Sequence, residues 1–169
     1  SIFDTTTGDT IFVTRHFKYG ASAVEELLLA DTTVDLRKGL TFTGADDEDR
    51  PDALAGTRFG DTIIAQAGDD HIYAGRGADI ITGGAGDDLL WGQGGNDTFV
   101  FAPGFGHDEI YEAGMYSDEF DSGGDMIQMN GFDPGTIRAE VDTQGRMTIS
   151  VLGAGGEASD TIFIHSQTY

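Results

Sequence analysis

The stretch GGAGDDLLWGQGGNDTFVF, residues 83–101, decides how the chain is read. Its glycine density alone would suggest a flexible linker. Yet Leu90 and Phe99 stand nine residues apart within it, as do Asp88 and Asp97. A linker keeps composition but not register. Working outward, the register extends over six consecutive nonapeptides: DEDRPDALA (47–55), GTRFGDTII (56–64), AQAGDDHIY (65–73), AGRGADIIT (74–82), GGAGDDLLW (83–91) and GQGGNDTFV (92–100). Position six is always Asp: Asp52, Asp61, Asp70, Asp79, Asp88 and Asp97. Position eight is always large and apolar: Leu54, Ile63, Ile72, Ile81, Leu90 and Phe99. Position four is Gly in the last four units, and GFGHDEIY (104–111) restores the phase after a two-residue insertion, with Asp108 and Ile110.

Fixed periods of this kind mark a solenoid. Three residues of strand point the middle one inward, because strand side chains alternate. Six glycine-rich residues then reverse the chain through backbone conformations that glycine reaches cheaply. Each nonapeptide is half a coil, so eighteen residues make one turn of a two-sheet roll with position eight as its thin core. The expected class is all-β: a parallel β-roll with flanking antiparallel β segments.

The charge balance narrows the chemistry. Thirty acids face nine bases, a net charge of −21, and 22 of the acids are Asp. Such a balance excludes nucleic acid and anionic membrane surfaces as partners and opposes compaction unless a cation compensates. No run approaches membrane-spanning length. There is no cysteine, which removes disulfides, thiolate nucleophiles and zinc–cysteine sites, and fits an exported protein. The four histidines, His16, His71, His107 and His165, are scattered without the spacing of a metalloprotease or a triad. No catalytic residue is therefore expected, and no enzyme activity.

The repeats resemble those of the RTX (repeats-in-toxin) family, whose nonapeptide G-G-x-G-x-D-x-U-x forms a calcium-bound parallel β-roll. The resemblance covers residues 47–111. It is most specific in GGAGDDLLWGQGGNDTF and departs in the first two units, where Arg50 and Phe59 replace the fourth-position glycine. The family implies a bacterial protein exported by type I secretion and folding outside the cell. The order of segments is similar to the repeat blocks of the bacterial adenylate cyclase toxin, with FAPGFGHDEIYEAG at the junction between roll and cap.

The residues themselves suit calcium. This hard cation takes six to eight oxygens from carboxylates and backbone carbonyls, and Asp reaches back over a glycine turn better than Glu. Turns on one edge stack every eighteen residues, which pairs Asp52 with Asp70, Asp61 with Asp79, Asp70 with Asp88, Asp79 with Asp97, and Asp88 with Asp108. About five ions are expected, with carbonyls of Gly68, Gly77, Gly83, Gly84, Gly86, Gly92 and Gly95 completing the ligand set. Shared carboxylates make binding cooperative. The competing reading of any single Asp is a side chain that closes its own loop without metal.

Three segments are expected: a β flank over 1–43, the calcium-binding roll over 44–111, and a capping β region over 112–169. In the flanks, DTIFVTRHF reads as strand, VEELLLADTTVDL as strands turning near Asp31–Thr32 with a short helix as the alternative, and 137–152 as a hairpin around Gln144–Gly145. Asp9–Val13 (DTIFV) and Asp160–Ile164 (DTIFI) nearly coincide. That recurrence suggests a tandem array whose neighbouring blocks are the partners of this one, in an otherwise monomeric chain. An aromatic stripe, His71, Tyr73, Leu89, Trp91 and Tyr111, lies on one outward face. Its two readings are a sugar- or protein-binding face of a surface adhesin, and a surface packed under the flank strand MTISVL with Trp91 buried.

Overall fold

In the computed structural model the described residues are 2–3, 10–11, 26–28, 33–46, 48, 50–111 and 124–165. They fall into two units, Ser1–Arg37 and Lys38–Tyr169. The first holds two short antiparallel pairs: β1 (Ile2–Phe3) with β2 (Thr10–Ile11), and β3 (Glu26–Leu28) with β4 (Thr33–Asp35). Strand rather than helix is thus found at 26–28. The expected turn at Asp31–Thr32, and residues 12–17 and 166–169 of the expected strands, lie outside the described residues. So do most of Asp9–Val13 and the end of the junction segment, residues 112–114.

The second unit is the roll. Ten of its strands alternate between two parallel ladders. One ladder holds β5 (Thr41–Thr43), β7 (Thr62–Ala67), β9 (Ile80–Ala85), β11 (Thr98–Phe101) and β13 (Met126–Met129). The other holds β6 (Ala53–Ala55), β8 (His71–Arg76), β10 (Leu89–Gly94), β12 (His107–Tyr111) and β16 (Ala158–His165). The antiparallel hairpin β14 (Ile137–Val141) and β15 (Met147–Leu152) joins the second ladder at β16. The sheets are five- and seven-stranded, in the orders β13-β11-β9-β7-β5 and β14-β15-β16-β12-β10-β8-β6.

The core is the position-eight ladder. Ile63, Ile72, Ile81, Leu90, Phe99 and Ile110 are fully buried. Register extends these rows at both ends: Phe42 lies opposite Ile63, Ile127 opposite Phe99, and Ile164 opposite Ile110. Where the two-residue insertion breaks the nonapeptide, Phe101, Phe105 and Phe132 fill the space, with ring centroids 4.9 and 6.0 Å apart.

Three features differ from the sequence reading. The ladder runs six residues per unit rather than three, because positions one to three also pair coil on coil, as Gln66 does with Gly84 and Gln93 with Gly75. Parallel pairing also runs past 44–111: β5 pairs in register with β7, β13 with β11, and β16 with β12. The roll thus takes strands from both flanking segments. Finally, MTISVL does not lie over the aromatic face. As β15 it extends the sheet edgewise, and Val151 joins the core. A strand's unpaired N–H and C=O groups are satisfied at a sheet edge and not on a sheet face. Trp91 is nonetheless buried, at 8% exposure. It is sandwiched between Tyr73 and Tyr111 of the neighbouring coils, at centroid distances of 4.5 and 4.9 Å. His165 stacks on Tyr111 at 4.5 Å and continues the column. Stacking of the column on itself occupies both faces of the Trp91 ring, and a sugar would need one of them.

Candidate metal centre

Position six builds the site. Strand alternation turns it to the same side as position eight, so its carboxylate is carried inward at the mouth of each turn. Asp61, Asp70, Asp79, Asp88, Asp97 and Asp108 are all at most 2% exposed. The stacking of turns eighteen residues apart brings the expected pairs together. The backbone N–H groups of Asp52, Asp61, Asp70, Asp79 and Asp88 donate to Oδ1 of Asp70, Asp79, Asp88, Asp97 and Asp108, at 2.6–2.9 Å.

The second carboxylate oxygen separates the turns. In Asp70, Asp79, Asp88 and Asp108, Oδ2 is buried and has no hydrogen-bond partner. In Asp61 it accepts the N–H of Thr57 from its own turn at 2.5 Å, and in Asp52 that of Ala45 at 2.5 Å. These first two turns, which lack the fourth-position glycine, close on themselves.

Each carboxylate looks back into its own turn. A Cβ on Gly83 would stand 2.0 Å from Asp88 Oδ2, and one on Gly92 2.5 Å from Asp97 Oδ2. At position four, Gly68, Gly77, Gly86 and Gly95 all have φ between 121° and 143°. A Cβ on Gly95 would meet the carbonyl oxygen of Gly77 at 1.5 Å, and one on Gly86 that of Gly68 at 2.2 Å. Glycine is thus required there twice, by backbone conformation and by the close stacking of turns. Position two is less demanding: Gly75 and Gly84 occupy it in two units, but Gln66 and Gln93 adopt φ of 83° and 70° in two others.

The electrostatics are those of anions out of water. Burial, reinforced by neighbouring carboxylates, pushes Asp79 and Asp88 up to about 7 and Asp108 up to about 8, and raises Asp70 as well. The N–H bond to Oδ1 opposes the shift without cancelling it. Buried carboxylates that lack a counter-charge carry a penalty of several kcal/mol each, in order of magnitude. A divalent cation at Oδ2 removes it. Among the described residues no three acidic or imidazole side chains converge on one point. The carboxylates come in stacked pairs, so a calcium shell of six to eight oxygens would need ligands beyond them.

Two residues of this arrangement were not singled out in the sequence. Asp125 Oδ1 accepts the N–H of Asp97 at 2.8 Å, continuing the ladder immediately before β13. Its signal was present in GGDMI (123–127), but Asp125 follows Asp97 by 28 residues rather than eighteen. Asp160, on β16, accepts from the N–H groups of Gly104 and Gly106 at 3.4 and 3.3 Å. No motif marks it.

Fold and site together define a parallel β-roll whose stacked turns present paired carboxylates to a hard cation. Residues 46–81, 55–89 and 73–110 match the family model described as RTX calcium-binding nonapeptide repeat (4 copies). The chain is also similar to a solved structure, the AlgE6R3 subunit from the Azotobacter vinelandii mannuronan C5-epimerase. The two are 26% identical, with 75% of this chain and 71% of that chain covered and a TM-score of 0.46. No curated protein matches. RTX nonapeptide repeats bind Ca²⁺. Among the described residues no helix is long and apolar enough to cross a membrane.

Proposed function

We propose that this chain is a calcium-binding RTX module of a bacterial protein exported by type I secretion, and that it folds on binding Ca²⁺ outside the cell. The observation that carries the reading is the set of buried, partnerless Oδ2 oxygens of Asp70, Asp79, Asp88 and Asp108. Without a cation they oppose the fold, and with one they become its strongest contacts. About five ions sit between the pairs Asp52/Asp70, Asp61/Asp79, Asp70/Asp88, Asp79/Asp97 and Asp88/Asp108, with turn carbonyls of Gly68, Gly77, Gly83, Gly84, Gly86, Gly92 and Gly95 as further ligands.

The same charges suit the export route. At low cytosolic calcium, −21 keeps the chain open and able to thread a narrow channel. Extracellular calcium modules bind at about 10⁻⁴–10⁻³ M, so millimolar calcium closes the roll outside. The role is structural rather than catalytic, and neighbouring blocks of the same protein are its partners.

Circular dichroism tests the reading. In excess chelator the chain loses most of its β signal, and millimolar Ca²⁺ restores it. A native spectrum that survives chelation would overturn the proposal.

A further inference from the structure

Asp108 is the last nonapeptide Asp on the seven-stranded side. Its Oδ1 accepts the N–H of Asp88 at 2.9 Å, while its Oδ2 is buried without a partner. The coil stacked beyond it is not a nonapeptide. There β16 sets Ile162, fully buried, opposite Asp108, so no Asp stands in register to continue the file.

Two residues earlier on the same face of β16 stands Asp160, at 8% exposure. Its carboxylate lies over the turn that ends at Asp108, where it accepts the long bonds from Gly104 and Gly106 and one from Ser159 Oγ at 3.3 Å. The negative charge of Asp160 is among those acting on Asp108. Among the described residues neither carboxylate has a basic side chain as partner. Two carboxylates therefore belong to one turn, one of them with a buried oxygen that nothing in the protein satisfies.

We propose that Asp108 Oδ2 and Asp160 hold a further calcium ion at the joint between the turn 101–108 and the cap strand β16, outside the nonapeptide repeats. The inference rests on the calcium reading above. It gives the cap a role: β16 carries the hairpin β14–β15, so filling this site ties the docking of the C-terminal sheet to calcium. Ile162 in the register position ends the file, and Asp160 supplies the terminal charge from a neighbouring position.

Native mass spectrometry of the whole chain in calcium counts the ions. Asp160→Asn and Asp160→Ser each keep an acceptor for the Gly104 and Gly106 N–H groups but remove the charge. Each should bind one ion fewer than the wild type, and Asp160→Glu should bind the full number. An unchanged count in a folded neutral variant would overturn this inference and leave the repeat sites standing. A wild type that binds no ion would overturn the calcium reading itself. Should both neutral variants fail to fold in calcium while Asp160→Glu folds with the full count, the inference gains support. Without a cation a neutral group would relieve the repulsion on Asp108 rather than harm the fold. Failure of all three variants would count against it, since shape rather than charge would then be the requirement.

Discussion

The turns that end at Asp52 and Asp61 and those that end at Asp70, Asp79 and Asp88 share one stacking register, yet they treat the same carboxylate oppositely. In the first two, a backbone N–H of the turn takes Oδ2. In the later three, Oδ2 is buried with nothing to accept. The two groups also differ at position four. Gly68, Gly77 and Gly86 hold a left-handed conformation there. Phe59 does not; its N–H donates instead to Thr57 Oγ1 at 3.0 Å, within a turn whose Thr57 N–H serves Asp61. A turn whose Asp Oδ2 is taken by a backbone N–H and a turn whose Asp Oδ2 has no partner thus occur side by side in this chain.

The largest expected effect comes from breaking the later group. Asp88→Ala removes a carboxylate shared by two ions and should raise the calcium midpoint of folding on the order of tenfold or more, about 1.4 kcal/mol per decade. Asp52→Ala should raise it less than about threefold, because Asp52 Oδ2 already accepts the N–H of Ala45 and has less left to give a metal. Calcium titrations followed by circular dichroism compare the two, and equal midpoints would erase the distinction drawn here.

Acid should act on the same group in the absence of metal. The folded-state values of about 7 for Asp79 and Asp88 and about 8 for Asp108 lie above the ordinary 3.8. The folded state therefore binds more protons than the unfolded one. These groups disfavour the metal-free fold at pH 8, and the penalty is relieved as pH falls from about 8 toward 4. In chelator the chain should gain β signal across that window, and Asp88→Asn should already have part of the gain at pH 8. A flat titration in both proteins would break the argument.

A smaller effect sharpens the comparison from the other side. Phe59→Gly restores the position-four residue in the second unit and should free Asp61 Oδ2 for metal. We expect the calcium midpoint to fall by no more than about threefold, since the gain is at one edge site and glycine costs backbone entropy. Isothermal titration would show it as a tighter first binding event, and a weaker one would mean that Thr57 rather than Phe59 sets the closed turn.

The smallest effect concerns the aromatic column. Trp91 in the calcium form should emit blue-shifted and resist acrylamide. Tyr111→Ala should move the emission to the red by a few nanometres while leaving the calcium midpoint within about twofold, because the column lies on the face opposite the carboxylates. An unshifted spectrum would mean that something other than the stack covers the indole.

Much of this was legible in the sequence because the repeat is strictly local. Nine-residue spacing of Asp52 to Asp97 and of Leu54 to Phe99 prescribes half-coils, their alternation prescribes which side chains face in, and stacking then pairs every second Asp. The departures at Arg50 and Phe59 also marked, before any coordinates, which turns would differ. Asp125 and Asp160 were harder. Each enters the roll after a long excursion, and its place depends on which strand edge remains open when the nonapeptides end.

By itself, then, the amino-acid sequence determined the roll, its core and the inward file of carboxylates, since each follows from contacts within one coil or between a coil and the next. Only the tertiary structure decided where the roll stops and what becomes of each second oxygen. A sheet edge accepts whatever strand can satisfy its backbone, so β5, β13 and β16 were recruited from outside the repeats and MTISVL went to the edge rather than over the aromatic face. Whether an Oδ2 meets an N–H or nothing at all is settled by how each turn packs against the next, although the departures at Arg50 and Phe59 mark where the turns differ.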